Sequence, residues 1–292
     1  MTAYARPQSL RDALGLLNDR PHRILAGGTD VYPADAAAVG WGRPGLDHPD
    51  SPPVLDITGI HTLARLRRFP DRVELGALVT WTEAIEVGLP AWFDCVRLAA
   101  REVGGRQIQN RGTVAGNLCN ASPAADGVPA LLVLNARVRL QRRGGSREVA
   151  LHEFITGNRR TSLRPGELMT AIVIPAPSTA ARSTFLKLGA RRYLVISIAM
   201  VAACLELEHG RVRDARLSVG ACSEVAQRLT GLESRLEGVP GTQAPDMVRD
   251  EDLASLSPLD DVRASAPYRR HGARVLVRRA LDALVREREP DR

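Results

Sequence analysis

Lysine is all but missing from this chain of 292 residues: of its 40 basic residues, every one except Lys187 is arginine. Cysteine is scarce as well, and Cys95, Cys119, Cys204 and Cys222 stand far apart with no C-x-x-C pair. That spacing excludes a zinc ribbon and an iron–sulfur cluster ligated by this chain alone; it suits buried thiols in a reducing compartment. Aromatic residues make up only 4%, too few for a platform on which nucleic-acid bases would stack. The net charge of +7 is spread in arginine groups beside acids or on amphipathic segments, so it reads as a solvated surface and no nucleic-acid partner is expected. No apolar run reaches the ~18 residues of a membrane span. The opening MTAYARPQSLRDALGLL lacks the apolar core and cleavage site of a signal peptide, which points to a cytoplasmic protein. The G-x-G-x-x-G of a Rossmann dinucleotide site and the P-loop pattern are also missing, so a nucleotide ligand would have to be held by other means.

What is present is the composition of a globular chain, 44% hydrophobic and 25% charged, long enough for two domains. SLRDALGLL predicts an amphipathic helix, with Ser9 as N-cap, Asp12 three residues on, and Leu10, Ala13, Leu14 and Leu17 on one face. HRIL, VLDIT, RVELGALVT, ARVRLQ and ELMTAIVIP read as strands, TEAIEVG and WFDCVRLAAREVG as helices, and PGLDHPDSPP as an exposed loop. The character changes near residue 178. Beyond it TFLKLGARR reads as a strand, and two strand-like runs meet at His209-Gly210 in a hairpin. AQRLTGLESRLEG reads as a helix. Ala273, Leu276, Val277, Ala280, Leu281 and Leu284 predict a packed terminal helix.

Two short segments carry the chemistry. AGGTD (26–30) and GTVAGN (112–117) share a plan of apolar approach, small residues, a threonine hydroxyl and a side chain with a hydrogen-bonding oxygen. Glycine admits positive φ and lets backbone N–H groups come close to an anion. Neither segment contains a cation, so phosphates would be held by amides and hydroxyls. Each alone is equally the mark of a tight turn; two facing each other could grip a diphosphate. The second opens the longer stretch QNRGTVAGNLCNASPAADGVPALLVLNA (109–136), whose latter half predicts a helix anchoring the segment in the core. Lys187 is a further candidate: either its survival is chance, or a slim ammonium is kept where the planar fork of arginine would not fit.

These motifs, together with VLDITGI, ELGALVT, GELMTAIVIP and FLKLGARRYLVISIAMVAA, resemble the FAD-binding subunits of the xanthine dehydrogenase and carbon monoxide dehydrogenase family of molybdenum hydroxylases, nearly end to end. The resemblance implies an α+β chain: a two-part PCMH-type FAD-binding domain over 1–177, then a smaller C-terminal domain over 178–292 with an antiparallel sheet and packed helices. It implies FAD as cofactor. Leu25, Ala26, Gly27, Gly28, Thr29 and Asp30 would wrap the diphosphate, and Thr113, Val114, Ala115, Gly116 and Asn117 would complete the grip. Asp126 would bind the sugar part, Leu168 would lie beside the flavin ring, and Lys187 would sit near it, stabilising negative charge on reduced flavin. The implied partners are a molybdopterin-binding large subunit, a small subunit with 2Fe-2S clusters, and an external acceptor such as NAD, arranged as a dimer of heterotrimers. Two departures stand out: Ala115 takes the place of a common second glycine, tolerable only at negative φ, and Gln109 replaces a frequent arginine. Tyr193 is either a shield for the flavin or a packing aromatic, and Cys119 is expected to pack. Two other readings are a basic binding protein whose glycine segments are mere turns, and a self-contained flavin oxidoreductase; the six histidines offer no nucleophile–base pair for the latter.

Overall fold

The computed structural model describes residues 4–40, 45–46, 48, 51–177 and 181–286. The loop expected over 44–53 lies partly outside these, and the boundary expected near residue 178 falls outside them. Three sheets and a two-stranded ribbon carry the chain. In the first sheet β1 (Tyr4–Ala5) and β2 (Arg23–Leu25) flank β3 (Val54–Asp56), both parallel to it. Strands running the same way need a crossover, and α1 (Leu10–Asp19) supplies it. Ser9 Oγ accepts the Asp12 N–H at 3.1 Å, and Ala13 and Leu17 are buried, as the sequence predicts. After β2 comes α2 (Val31–Gly40), which was not foreseen. It buries none of its residues, and its alanine-rich run has no polar face to set off an apolar one.

The second sheet is antiparallel, in the order β4 (Leu66–Arg68), β5 (Arg72–Gly76), β10 (Leu168–Pro175), β6 (Arg137–Arg142), β7 (Gly145–Ala150). Central β10 is buried along all but its last residue, which is why it reads as an unbroken apolar run. Its register shifts between Met169 and Ala171, a bulge at the end facing the site described below. Five helices are inserted between β5 and β6: α3 (Trp81–Glu86), α4 (Asp94–Glu102), α5 (Arg106–Gln109), α6 (Val114–Asn120) and α7 (Gly127–Val133). α7 is buried over its whole length, in agreement with its anchoring role. Between β7 and β10 lie α8 (Leu151–Phe154) and the ribbon of β8 (Ile155–Gly157) and β9 (Arg160–Thr161).

The third sheet runs β11 (Ala181–Leu188), β12 (Ala199–Glu208), β13 (Arg211–Gly220), β14 (Gln227–Arg228) in spatial order. His209 and Gly210, at φ 50° and 76°, make the hairpin turn between β12 and β13, a left-handed pair that matches strand twist. The helix expected over 226–238 is shorter: Gln227 and Arg228 pair with β13, and α9 (Thr230–Leu236) follows. β12 joins the two halves of the molecule. Met200, Ala202 and Cys204 enter the core of the second sheet, while Ala199, Val201, Ala203 and Leu205 enter a separate core with α10 (Ala266–Arg286). The strand period of two decides which core each residue serves. Ser183 of β11 stitches the halves, donating to Trp92 O at 2.7 Å and accepting from Cys95 N at 2.9 Å. Burial raises the Cys204 and Cys222 thiols to about 11, so neither is a ready nucleophile.

Candidate functional site

Both glycine segments run straight into helices. β2 ends at Leu25, which is buried and pairs with Asp56. The chain then turns through Gly27 and Gly28 and enters α2, with Tyr32 N–H bonded to Gly28 O at 3.0 Å. Gly28 sits at φ 75°, and a Cβ on it would lie 2.5 Å from the Tyr32 ring. At Gly27 a Cβ would lie 2.0 Å from Arg111 O and 2.9 Å from Gly112 Cα. The first segment therefore meets the second backbone to backbone, and only glycine permits it.

The second segment corrects the sequence reading. It is the start of α6, not an open loop: Thr113 is the N-cap, and its hydroxyl accepts the Gly116 N–H at 3.0 Å. Val114 N–H is bonded to Val79 O at 3.0 Å. Two N–H groups expected to face a phosphate are thus engaged within the protein. Ala115 has the ordinary negative φ of a helix, so its methyl group meets no conformational objection. Gln109 is buried and donates to Arg101 O at 3.1 Å, a contact with the neighbouring helix α4.

A cavity of about 360 Å³ opens between these elements. Of the expected residues, Ala26, Gly27, Gly28, Thr29, Asp30, Thr113, Ala115, Gly116, Asn117 and Leu168 line it. Val114 is buried and does not line it, and Leu25 lines the adjoining second cavity instead. Ala26, Gly27 and Thr113 also line this second cavity, of about 470 Å³, which brings Tyr4, Arg6 and Arg111 beside the glycine turn. Asn117 Oδ1 is buried and has no hydrogen-bond partner within the chain, an expensive condition unless a ligand supplies a donor. The same oxygen would lie 2.9 Å from a Cβ on Gly127, the residue after Asp126.

Asp126 and Lys187 do not line the cavity; they form a buried ion pair joining α7 to β11. Lys187 Nζ donates to Asp126 Oδ2 at 2.8 Å and to Glu102 O at 3.3 Å, and Ser197 Oγ donates to Asp126 Oδ1 at 2.6 Å. Both side chains are less than a tenth exposed. Burial pushes the Asp126 carboxyl up, against the pull of Lys187 and Ser197. The lone lysine thus has a definite place, though its partner is a carboxylate of the protein.

Several wall residues escaped the sequence reading. Trp81 lines the cavity more than thirty residues away in the chain from its neighbour Gly112, and it also abuts Gly127; no local signal marks it. Ile108, Leu163 and Met169 add apolar surface. Cys119 is exposed and faces the cavity instead of packing in the core. Tyr193 is 62% exposed with Arg192 over its ring, so it is no packing aromatic. Among the described residues no group of His, Cys, Asp and Glu could hold a metal ion, and no helix is long and apolar enough to cross a membrane. The cavity wall combines backbone and amide groups with apolar side chains.

Residues 1–177 match the family model for the FAD binding domain in molybdopterin dehydrogenase, and residues 184–284 match that for the CO dehydrogenase flavoprotein C-terminal domain. The chain is 31% identical over 284 residues to the nicotine 6-hydroxylase medium subunit of Paenarthrobacter nicotinovorans, with 95% of each chain covered. It is 28% identical to a putative xanthine dehydrogenase FAD-binding subunit of Escherichia coli, covering 97% of this chain and 96% of the other. Among solved structures, a chain of reconstituted CO dehydrogenase from Oligotropha carboxidovorans superposes with a TM-score of 0.86 at 27% identity, over 98% of both chains.

Proposed function

Since the chain belongs to the family of FAD-binding subunits of molybdenum hydroxylases, we propose that it is the electron-exporting member of a three-part oxidoreductase. It would take electrons from 2Fe-2S clusters in a small subunit, fed in turn by a molybdopterin-binding large subunit, and deliver them to NAD or another external acceptor. A dimer of such heterotrimers is the assembly we expect. FAD, when bound, supplies the redox chemistry that no side chain here can. We likewise place the boundary between the FAD-binding part, 1–177, and the C-terminal part, 178–292.

The observation that carries this reading is the meeting of Gly27 with Arg111 and Gly112, beside the unpartnered Asn117 oxygen. The turn brings bare backbone to the cavity, which suits a diphosphate, and Asn117 Oδ1 is free to accept from a ligand hydroxyl or ring N–H. Thr29, adjacent to Gly112, adds a hydroxyl on the facing side. Leu168 and Met169, at the bulged end of β10, offer an apolar wall for the ring. We assign Asp126 and Lys187 to the sugar and ring end, Asp126 being next to Gly127, which abuts the wall residues Trp81 and Asn117; each would share part of its present hydrogen bonding with the ligand.

The test is anaerobic reduction by substrate. In the assembled complex the flavin absorbance should bleach when the large subunit's substrate is added. The same chain without its partners should bleach only with a chemical reductant. Bleaching by substrate in the isolated chain would instead make it a self-contained enzyme.

A further inference from the structure

The charged residues lining the 360 Å³ cavity pose a problem for an anionic ligand. Among the described lining residues Asp30 and Glu167 are charged, and no cation accompanies them. Two carboxylates would repel a diphosphate, the effect of Asp30 being moderated by its exposure to solvent. Each, however, is met from outside the lining by an arginine. Arg147 grips Glu167 with two hydrogen bonds, at 2.7 and 2.8 Å. Arg159 lies 3.8 Å from Asp30 and donates to Asn120 Oδ1, while Asn120 Nδ2 donates to Asp30 Oδ1 at 2.8 Å.

Arg159 reaches this position from the turn between β8 and β9, more than a hundred residues beyond Asp30. Its backbone stands in the left-handed region at φ 56°, unusual for a residue with a side chain. The Arg159 N–H bonds to Ala121 O at 2.9 Å, and Ala121 is itself left-handed at φ 48°. Glycine would take either conformation more easily, so the fold alone does not call for arginine there. Arg160, next along, is engaged elsewhere with Glu224.

We propose that Arg159 is a positioning residue for the cofactor's diphosphate: it neutralises Asp30 and, through Asn120, holds it at the rim, so that an anion can enter a cavity whose own wall has no cation. The inference rests on the FAD reading above. Its role is to fix the charge and place of Asp30, which sits at the mouth between the first glycine turn and α6.

The experiment is FAD titration of the full chain, followed by quenching of tryptophan fluorescence, since Trp81 lies in the cavity wall. Arg159→Gly is the informative variant because glycine accepts the φ of 56° without strain. It should weaken FAD binding about tenfold, the order expected for one uncompensated nearby charge, with a thermal midpoint of the ligand-free chain no lower than wild type. Arg159→Lys should keep most of the affinity. The gap between Arg159→Gly and wild type should narrow as ionic strength rises, because salt screens the charge left on Asp30. Wild-type affinity in Arg159→Gly, or a loss that added salt leaves unchanged, overturns the proposal alone. A wild-type chain that takes up no FAD overturns the cavity reading and this inference with it.

Discussion

Around Gly27 the chain strips away side chains until backbone touches backbone; around Leu281 it fills every position. At the first site a single added carbon would lie 2.0 Å from Arg111 O. At the second, Ala273, Val277, Ala280 and Leu281 of α10 are wholly buried against β12 and its neighbours. The contrast separates two kinds of buried position. In the C-terminal core, burial removes apolar surface from water and stabilises the fold directly. In the cavity wall it leaves Asn117 Oδ1 unpartnered and Gly28 at positive φ, features that add nothing to stability until a ligand is present.

If that distinction is real, mutations should divide cleanly. Gly27→Val forces the two glycine segments apart; FAD affinity should fall by at least about a hundredfold, a loss near 3 kcal/mol, measured by fluorescence titration. Leu281→Ala should do the reverse. It should cost about 3 kcal/mol in denaturant unfolding, the range for a buried leucine, while any folded chain still binds FAD normally. Glu74, in β5 of the second sheet, should affect stability alone. Hydrogen bonds from Arg139, against the opposing pull of burial and with help from Arg72, bring its carboxyl from 4.5 down to about 2. A depressed value means that the contribution is complete above pH 4.5 and drains away as pH falls toward 2. Glu74→Gln should therefore lower stability by about 2 kcal/mol at neutral pH and flatten that acid limb, as urea titrations across pH would report. The smallest effect is expected at Ala115→Gly. In a helix at negative φ it should cost about 1 kcal/mol and bring no gain in FAD affinity, since no glycine is required there.

The same distinction explains what was legible in the sequence. α1 and α10 were readable because their apolar residues recur at helical spacing, and the 209–210 hairpin because its turn residues announce it. α2 was not, since an alanine-rich helix that buries nothing leaves no periodic trace. The glycine segments were visible as motifs, but that one of them begins a helix was not, because Thr113 serves equally as N-cap or loop hydroxyl. Trp81 reaches the cavity wall, and Arg159 the neighbourhood of Asp30, through tertiary packing alone. Lys187 stood out by rarity, yet its pairing with Asp126 joins β11 to the start of α7, sixty-one residues apart in the chain.

The most direct test of the account is the flavin content of the purified chain, prepared with and without co-expressed partner subunits, with the ligand released by acid and identified by chromatography. The account predicts FAD at about one equivalent per chain, one cofactor for the single pair of glycine segments. Absence of FAD from both preparations, with none taken up on addition, would contradict it.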